Sequence, residues 1–277
     1  MIESNRFSLK GKVVVITGGA GLLGKMHAEA VAEAGGSVVL ADIKKDLADA
    51  VAEEIRLKYN TEILTVRVDI TSKEEVENLL AKTLKQFSKV DVLINNAANN
   101  PKVQAGETGD DSWTRLENFP IDSWTQDLAV GLTGTFLCSQ VLGAEMAKRE
   151  SGNIINISSD LGLVAPDQRL YQEEDTPEEL QPVKPITYSV VKTGIIGLTR
   201  YLATYWAHKN IRVNALCPGG VEEAQSEEFK MRIHQRIPLG RMAKRDEYKG
   251  AIIFLASEAS SYMTGSILAV EGGRTCW

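Results

Sequence analysis

KVVVITGGAGLLG, residues 12–24, runs from a short β-branched segment through a glycine-rich turn into a helical pattern. Lys12 to Thr17 reads as a buried strand, because its apolar residues are continuous rather than alternating. Leu22 to Ala34 has helical spacing, and Gly35-Gly36 stops it. Glycines between a strand and a helix let the chain turn sharply and approach a pyrophosphate closely. The free N–H groups at the helix start then point at the phosphates.

The same alternation continues outward. SVVLAD (37–42), ILTVRVD (63–69), VDVLIN (90–95), NIINIS (153–158), IRVNAL (211–216) and ILAV (267–270) read as further strands. Helical patterns separate them: 46–58 with Ala48, Val51, Ala52 and Ile55 on one side, then a helix capped by Thr71 or Ser72 with Glu74 and Glu75 in its first turn. A long helix is expected over 122–149, another over 187–208, and one or two over 226–257. Strand and helix alternate throughout, which predicts an α/β fold: a Rossmann-type doubly wound parallel sheet in a three-layer αβα sandwich. Residues 98–121 and 163–186 lack a clear period and carry Pro101, Gly106, Gly109, Pro120, and prolines at 166, 177, 182 and 185. They read as long loops after strands four and five, on the side of the sheet where such folds bind ligands.

The 277 residues suit one domain, 1–277, with a substrate-side insert at about 163–186. The net charge of −6 gives no support to nucleic-acid binding. Cys138, Cys217 and Cys276 are odd in number and far apart, which argues against a disulfide framework; the first two read as small core residues. His27, His208 and His234 form no metal-binding spacing, so no metal is assigned. The polar start lacks a signal core, and no run approaches 18 apolar residues, so a soluble, cytoplasmic protein without a membrane association is expected.

Asp42 ends the second strand, eighteen residues after Gly24. A carboxylate there accepts both ribose hydroxyls of NAD and repels the 2′-phosphate of NADP. It would otherwise cap the next helix. Lys44 and Lys45 are close enough to meet a 2′-phosphate if Asp42 turned away. Asp69 either takes a hydrogen bond from adenine or fixes its own turn. Asn95 and Asn96 either touch ligand or hold the loop. Tyr188 and Lys192 are four apart and share a helix face. A phenol has a pKa near 10, and an adjacent ammonium lowers it. Ser159, at the end of strand five, is placed to donate to a substrate oxygen.

Taken together, TGGAGLLG (17–24), Asp42, Asp69, NNAA (95–98), SSDLG (158–162), YSVVK (188–192), NALCPGG (214–220) and TGSILAVEGG (264–273) resemble the classical short-chain dehydrogenase/reductase family across nearly the whole chain. The resemblance implies reversible hydride transfer between a nicotinamide cofactor, here NAD, and an alcohol/ketone pair. Ser159 would polarise the substrate oxygen, Tyr188 would be the acid/base, and Lys192 would lower its pKa and hold the nicotinamide ribose. The implied cofactor shell is Gly18, Gly21, Leu23, Gly24, Asp42, Asp69, Ile70, Asn96, Ala97, Tyr188, Lys192, Pro218, Gly219 and Val221. It also implies a homotetramer or homodimer built on the helices at 122–149 and 187–208 and the C-terminal segment.

Four departures stand out. Leu22 replaces a glycine, so Gly21 is expected to take up part of the turn. Ala98 closes what is usually NNAG. Gly131, in GLTG (131–134), replaces an Asn that holds a proton-relay water in the family; it either alters the relay or relieves crowding. Glu222 and Glu223 stand where a Thr is usual. Ser159 and Tyr188 are 29 residues apart, more than in a typical member. The extra PDQRLYQEEDTPEELQPVKP (166–185) is polar. As a substrate lid it suits a hydroxylated small molecule such as a sugar derivative; otherwise it is a solvated loop or a subunit contact. ENFP (117–120) and LxxYWxxxxIRVN (202–214) resemble oxidoreductases linked to bacterial surface-glycan synthesis. The alternatives are a 3-oxoacyl or quinone-type reductase, and a catalytically impaired nucleotide-binding scaffold.

Overall fold

The computed structural model describes residues 5–99 and 112–277. The Pro101, Gly106 and Gly109 portion of the expected first loop lies outside them. Seven parallel strands form one sheet in the order β3-β2-β1-β4-β5-β6-β7. They are β1 (Val13–Thr17), β2 (Ser37–Asp42), β3 (Ile63–Arg67), β4 (Val92–Asn95), β5 (Gly152–Ile157), β6 (Ile211–Pro218) and β7 (Ile267–Val270). The helices are α1 (Leu22–Glu33), α2 (Lys45–Tyr59), α3 (Lys73–Phe87), α4 (Ile121–Leu128), α5 (Thr135–Lys148), α6 (Ile186–Tyr205), α7 (Glu227–His234) and α8 (Lys249–Ala256).

Successive strand residues serve opposite faces, as the pleat requires. Val14, Ile16, Val38 and Leu40 pack with Val31, Ile55, Ile252 and Leu255 on one side. Val13, Val15, Val39 and Ala41 pack with Leu79, Leu142, Met146 and Leu202 on the other. Helices on both faces explain why the strands read as unbroken apolar runs. Strand order reverses at the β1–β4 contact, where Val14 pairs with Val92 and Ile16 with Ile94. Such a reversal opens a crevice beyond the carboxyl ends of the strands.

Ser72 caps α3 by accepting a hydrogen bond from the Glu75 N–H, and Gly35 takes φ +86° after α1. The helix expected over 122–149 is instead α4 and α5 joined by a single π-helical turn, Ala129–Gly134. By length and composition Ile121–Lys148 passes for a membrane span. Its α5 half, however, packs Cys138, Leu142 and Met146 into the core. Cys138 and Cys217 are buried, Cys276 is exposed, and all three are free thiols.

Candidate active site

A groove of about 480 Å³ lies at the reversal point. Gly18, Gly21, Leu23, Asp42, Asp69, Ile70, Asn96 and Ala97 line it. Gly18 and Gly21 line its floor, and Gly24 is buried behind them in α1. Gly18 has φ +63°, and a Cβ there would lie 2.8 Å from Ala97 Cα. A Cβ on Gly24 would lie 2.1 Å from the Gly18 carbonyl oxygen. Neither position admits a side chain, and together they leave bare backbone and the α1 N-terminus facing the groove, a cradle suited to a pyrophosphate. Gly21 sits at the α1 N-cap with φ −73°, a conformation that does not itself require glycine. Gly18 opens the turn and Gly21 closes it, its N–H donating to the Gly18 carbonyl at 3.1 Å, and Leu22 stands partly exposed on the first helical turn, lining the groove.

Asp42 accepts hydrogen bonds from the Ala20 N–H at 2.9 Å and the Lys44 N–H at 2.9 Å. Those contacts aim the carboxylate across the groove mouth and leave further lone pairs for a ligand hydroxyl. Asp69 fixes its own turn, accepting from the Thr71 N–H at 2.9 Å and the Thr71 hydroxyl at 2.7 Å. Asn95 is a core residue, donating to Asn156 and Ser139. Asn96 supports the loop: its Nδ2 donates to the Thr17 and Gly18 carbonyls at 3.0 and 3.1 Å. Pro218 ends β6 and Gly219 and Val221 follow it, outside the lining of this groove. Gly219 is packed tightly there, since a Cβ would sit 2.9 Å from Glu271 Cα.

Ser159, Tyr188 and Lys192 converge at the other end of the crevice. Ser158 ties α6 to the end of β5 by donating to the Lys192 carbonyl at 2.7 Å. The Lys192 side chain is buried, and its Nζ donates to the Ile157 carbonyl at 2.9 Å. It lies 5.8 Å from the centre of the Tyr188 ring. Burial lowers the Lys192 ammonium to about 8. Burial pushes the Tyr188 phenol up, while its hydrogen bond with Ser159 pulls it down. The Ser159 hydroxyl itself donates to Asp160 Oδ1 at 2.7 Å. Asp160 Oδ2 in turn accepts from Arg274 at 2.5 Å, with side-chain exposures of 4% and 10%. A buried chain Arg274–Asp160–Ser159–Tyr188 thus runs from the C-terminal segment to the phenol. For Ser159 to donate to a substrate oxygen, its proton must turn away from Asp160.

Residues 12–171 match the family model described as short chain dehydrogenase. This chain belongs to the short-chain dehydrogenase/reductase family. Residues 178–275 match a second model, described as Enoyl-(Acyl carrier protein) reductase. The chain is 34% identical over 269 residues to the 3-oxoacyl-[acyl-carrier-protein] reductase FabG of Aquifex aeolicus, covering 96% of this chain and 98% of that protein. It is 32% identical over 274 residues to the NAD-dependent glycerol dehydrogenase of Listeria innocua, covering 97% and 96%. Among solved structures, it superposes with a TM-score of 0.85 on a gluconate 5-dehydrogenase from Burkholderia cenocepacia, solved in complex with NADP and tartrate, at 28% identity. That superposition covers 99% of this chain and 98% of the other. This short-chain dehydrogenase/reductase is an NAD(P)-dependent oxidoreductase, and the groove and its glycine floor fit that cofactor.

Within the family pattern, the Gly131 departure has a packing explanation. A Cβ on Gly131 would lie 2.4 Å from Val191 Cγ1. Val191 immediately precedes Lys192, so its side chain occupies the space that a residue-131 side chain would need. The remaining cavity, lined by Gly131, Asp127, Thr187, Tyr188 and Lys192 among others, is about 10 Å³. That is room for at most about one water. Thr187 donates to Asp127 at 2.5 Å on its wall. We therefore expect Gly131→Asn alone to destabilise the protein by about 1–3 kcal/mol through overpacking and to reduce turnover. Adding Val191→Ala should recover much of the loss. Thermal melts and steady-state rates of the three proteins check this; a single variant as stable and as fast as the parent contradicts the packing account.

The Glu223 carboxylate, at another departure, forms an ion pair with Arg245. Asp160 and Arg274 were not among the expected site residues. Asp160 adjoins Ser159, but nothing local marks Arg274 as its partner, since the two are 114 positions apart.

Proposed function

We propose that this enzyme interconverts a secondary alcohol and a ketone on a polar, hydroxylated small molecule such as a sugar derivative, using NAD(H), with Tyr188 as acid/base. The observation that carries the proposal is the meeting of Ser159, Tyr188 and Lys192 at the end of the dinucleotide groove. When bound, the nicotinamide supplies or accepts the hydride. Tyr188 gives a proton to the substrate oxygen in reduction and takes it in oxidation. Burial favours the protonated phenol, so Tyr188 rests as an acid and serves reduction directly. Lys192, held by the Ile157 carbonyl, is placed to bind ribose and to supply positive charge behind the phenol. Ser159 orients the phenol and polarises the substrate oxygen.

Asp42 supports NAD over NADP. Titrations with both reduced cofactors by fluorescence should show tighter NADH. Asp42→Ala should weaken NADH by about 10-fold, the scale of a lost charge-assisted hydrogen bond, and narrow the discrimination. Tighter NADPH in the parent would overturn the assignment. A panel of polyols, keto sugars and a 3-oxoacyl thioester, assayed with both cofactors, tests the reaction class. A 3-oxoacyl reductase is the second reading, favoured by the likeness to the Aquifex aeolicus enzyme; the polar 166–185 insert favours the first. The resemblance to surface-glycan enzymes supports a sugar derivative in the same way.

The outer side chains Phe136, Val190, Tyr201 and Tyr205 are exposed on α5 and α6, and Tyr201 stacks on Tyr205. They support assembly into a homodimer or homotetramer through these helices. Free thiols suit a cytoplasmic setting.

A further inference from the structure

Asp160 follows Ser159 and opens a short 3-10 turn, Asp160–Gly162, beyond β5. Both of its carboxylate oxygens are engaged. Oδ1 accepts from the Ser159 hydroxyl at 2.7 Å and from the Leu161 N–H at 2.8 Å. Oδ2 accepts from Arg274 at 2.5 Å. The C-terminal segment that carries Arg274 is itself fixed. The Leu239 N–H donates to the Gly272 carbonyl at 3.0 Å, and the Thr275 N–H donates to Glu271 at 3.1 Å.

A hydroxyl has one proton and two lone pairs. The Ser159 proton goes to Asp160. The Leu161 N–H reaches one lone pair at 3.2 Å. The other lone pair is left for the Tyr188 phenol, to which Ser159 is hydrogen-bonded. The polarity of that bond is thereby set: Tyr188 donates and Ser159 accepts. For Tyr188 to act as a base it must give up its proton, and the phenolate then needs a donor. Ser159 supplies one only by withdrawing its proton from Asp160. Asp160 therefore disfavours the phenolate twice, by its charge and by its hold on that proton. Arg274 opposes both effects. Its positive charge favours a phenolate, and it keeps the Asp160 carboxylate satisfied when Ser159 turns away.

Among the described residues, the other titratable groups around the phenol are Tyr171 and two lysines. The Lys184 Nζ lies over the Tyr188 ring, 4.0 Å from its centre, and the Lys192 Nζ lies 5.8 Å from it. These groups are common to the parent and to any variant at 160 or 274, so each such variant reports the charge that it removes.

We propose that Asp160 and Arg274 are positioning residues for the proton transfer, acting through Ser159: the carboxylate holds Tyr188 in its acid form, the guanidinium opposes it, and the pair sets the pH at which Tyr188 becomes a base. The inference rests on the reading of Tyr188 as the acid/base of an alcohol/ketone oxidoreductase.

Neutral substitutions of similar shape test it. Asp160→Asn and Arg274→Gln each remove one charge and keep hydrogen-bonding atoms. Thermal melts establish that each is folded, and each gives a readout without the other. Tyr188 ionisation is followed in the NAD-loaded enzyme by nuclear magnetic resonance of isotopically labelled tyrosine, its signal assigned by loss in Tyr188→Phe. Asp160→Asn should lower the Tyr188 midpoint by about 0.5–1 pH unit, and Arg274→Gln should raise it by as much, less than the roughly 1–3 units of a charge in direct contact. The double variant Asp160→Asn/Arg274→Gln should return it close to the parent value. Arg274→Lys, which keeps the charge, should leave it there. The pH dependence of polyol oxidation with NAD should shift in the same two directions. A pair with only a structural role gives shifts of one sign or none, and either result overturns the proposal. The spectroscopic titration needs no substrate. Opposite shifts in an enzyme that turns over nothing in the panel would uphold the effect of the pair on Tyr188 and remove the alcohol/ketone reading. Normal turnover with an unmoved midpoint would do the reverse.

Discussion

Tyr188→Phe lowers turnover by at least about 100-fold and leaves NADH affinity nearly unchanged. The substitution removes the transferable proton and keeps the ring, including the face on which Lys184 sits. General acid–base groups contribute about 10²–10⁴-fold, and the phenol lost is the one hydrogen-bonded to Ser159. The loss should appear in kcat and kcat/KM together, because the proton moves in the transition state. Steady-state rates on the best substrate of the panel, with NADH affinity from fluorescence, check both halves. Near-normal turnover refutes the role of Tyr188. A large loss of NADH affinity would instead mean that the ring environment had collapsed.

Arg274→Met destabilises the protein by about 3–5 kcal/mol, the usual result of stripping one partner from a buried ion pair. Asp160 would be left as a buried carboxylate at the active centre, its remaining hydrogen bonds coming from Ser159 and the Leu161 N–H. For a chain of this size that corresponds to a drop in melting temperature of at least about 6 °C. The double variant Asp160→Leu/Arg274→Met should regain much of the stability, since paired replacement by apolar side chains is often neutral. It should not regain turnover, because Ser159 would still lack the acceptor that orients it. Thermal melts of the single and double variants, combined with rates, separate the two roles. A single variant within about 1 kcal/mol of the parent would mean the pair behaves as a solvated surface bridge.

The fold was legible because its signals are local. Continuous β-branched runs, helix-period patterns between them and Gly35-Gly36 each report on a few neighbouring residues, and the observed strands agree to within a residue or two. β6 runs further than expected, through Pro218. Proline donates nothing, but the ladder continues from the Gly219 N–H to the Val270 carbonyl at 2.9 Å. The π-helical turn at Ala129–Gly134 was not legible, since one widened turn leaves the apolar pattern on either side intact. Its two glycines pack closely on distant residues, Gly131 against Val191 and Gly134 against Ile70.

For the candidate site, the sequence marks segments, and their roles stay proposals. Glycine turn, Asp42 and the Tyr188–Lys192 spacing are each written in a short segment. Lys184 was visible only as one polar residue among many, because nothing in sequence says which side of an insert faces inward. The expectation that Lys192 sets the Tyr188 pKa looked at one neighbour, whereas the structure makes burial the largest influence on the phenol. Asp160 with Arg274 is a pairing across the chain that no spacing reports.

A crystal structure of the complex with NADH tests the account most directly. The adenosine ribose should lie on Asp42, the pyrophosphate over Gly18–Gly24, and the nicotinamide ring beside Tyr188, leaving a substrate carbon room to sit about 3–3.5 Å from both the reacting ring carbon and the phenol oxygen. A dinucleotide bound elsewhere, or one whose nicotinamide points away from Tyr188, would contradict it.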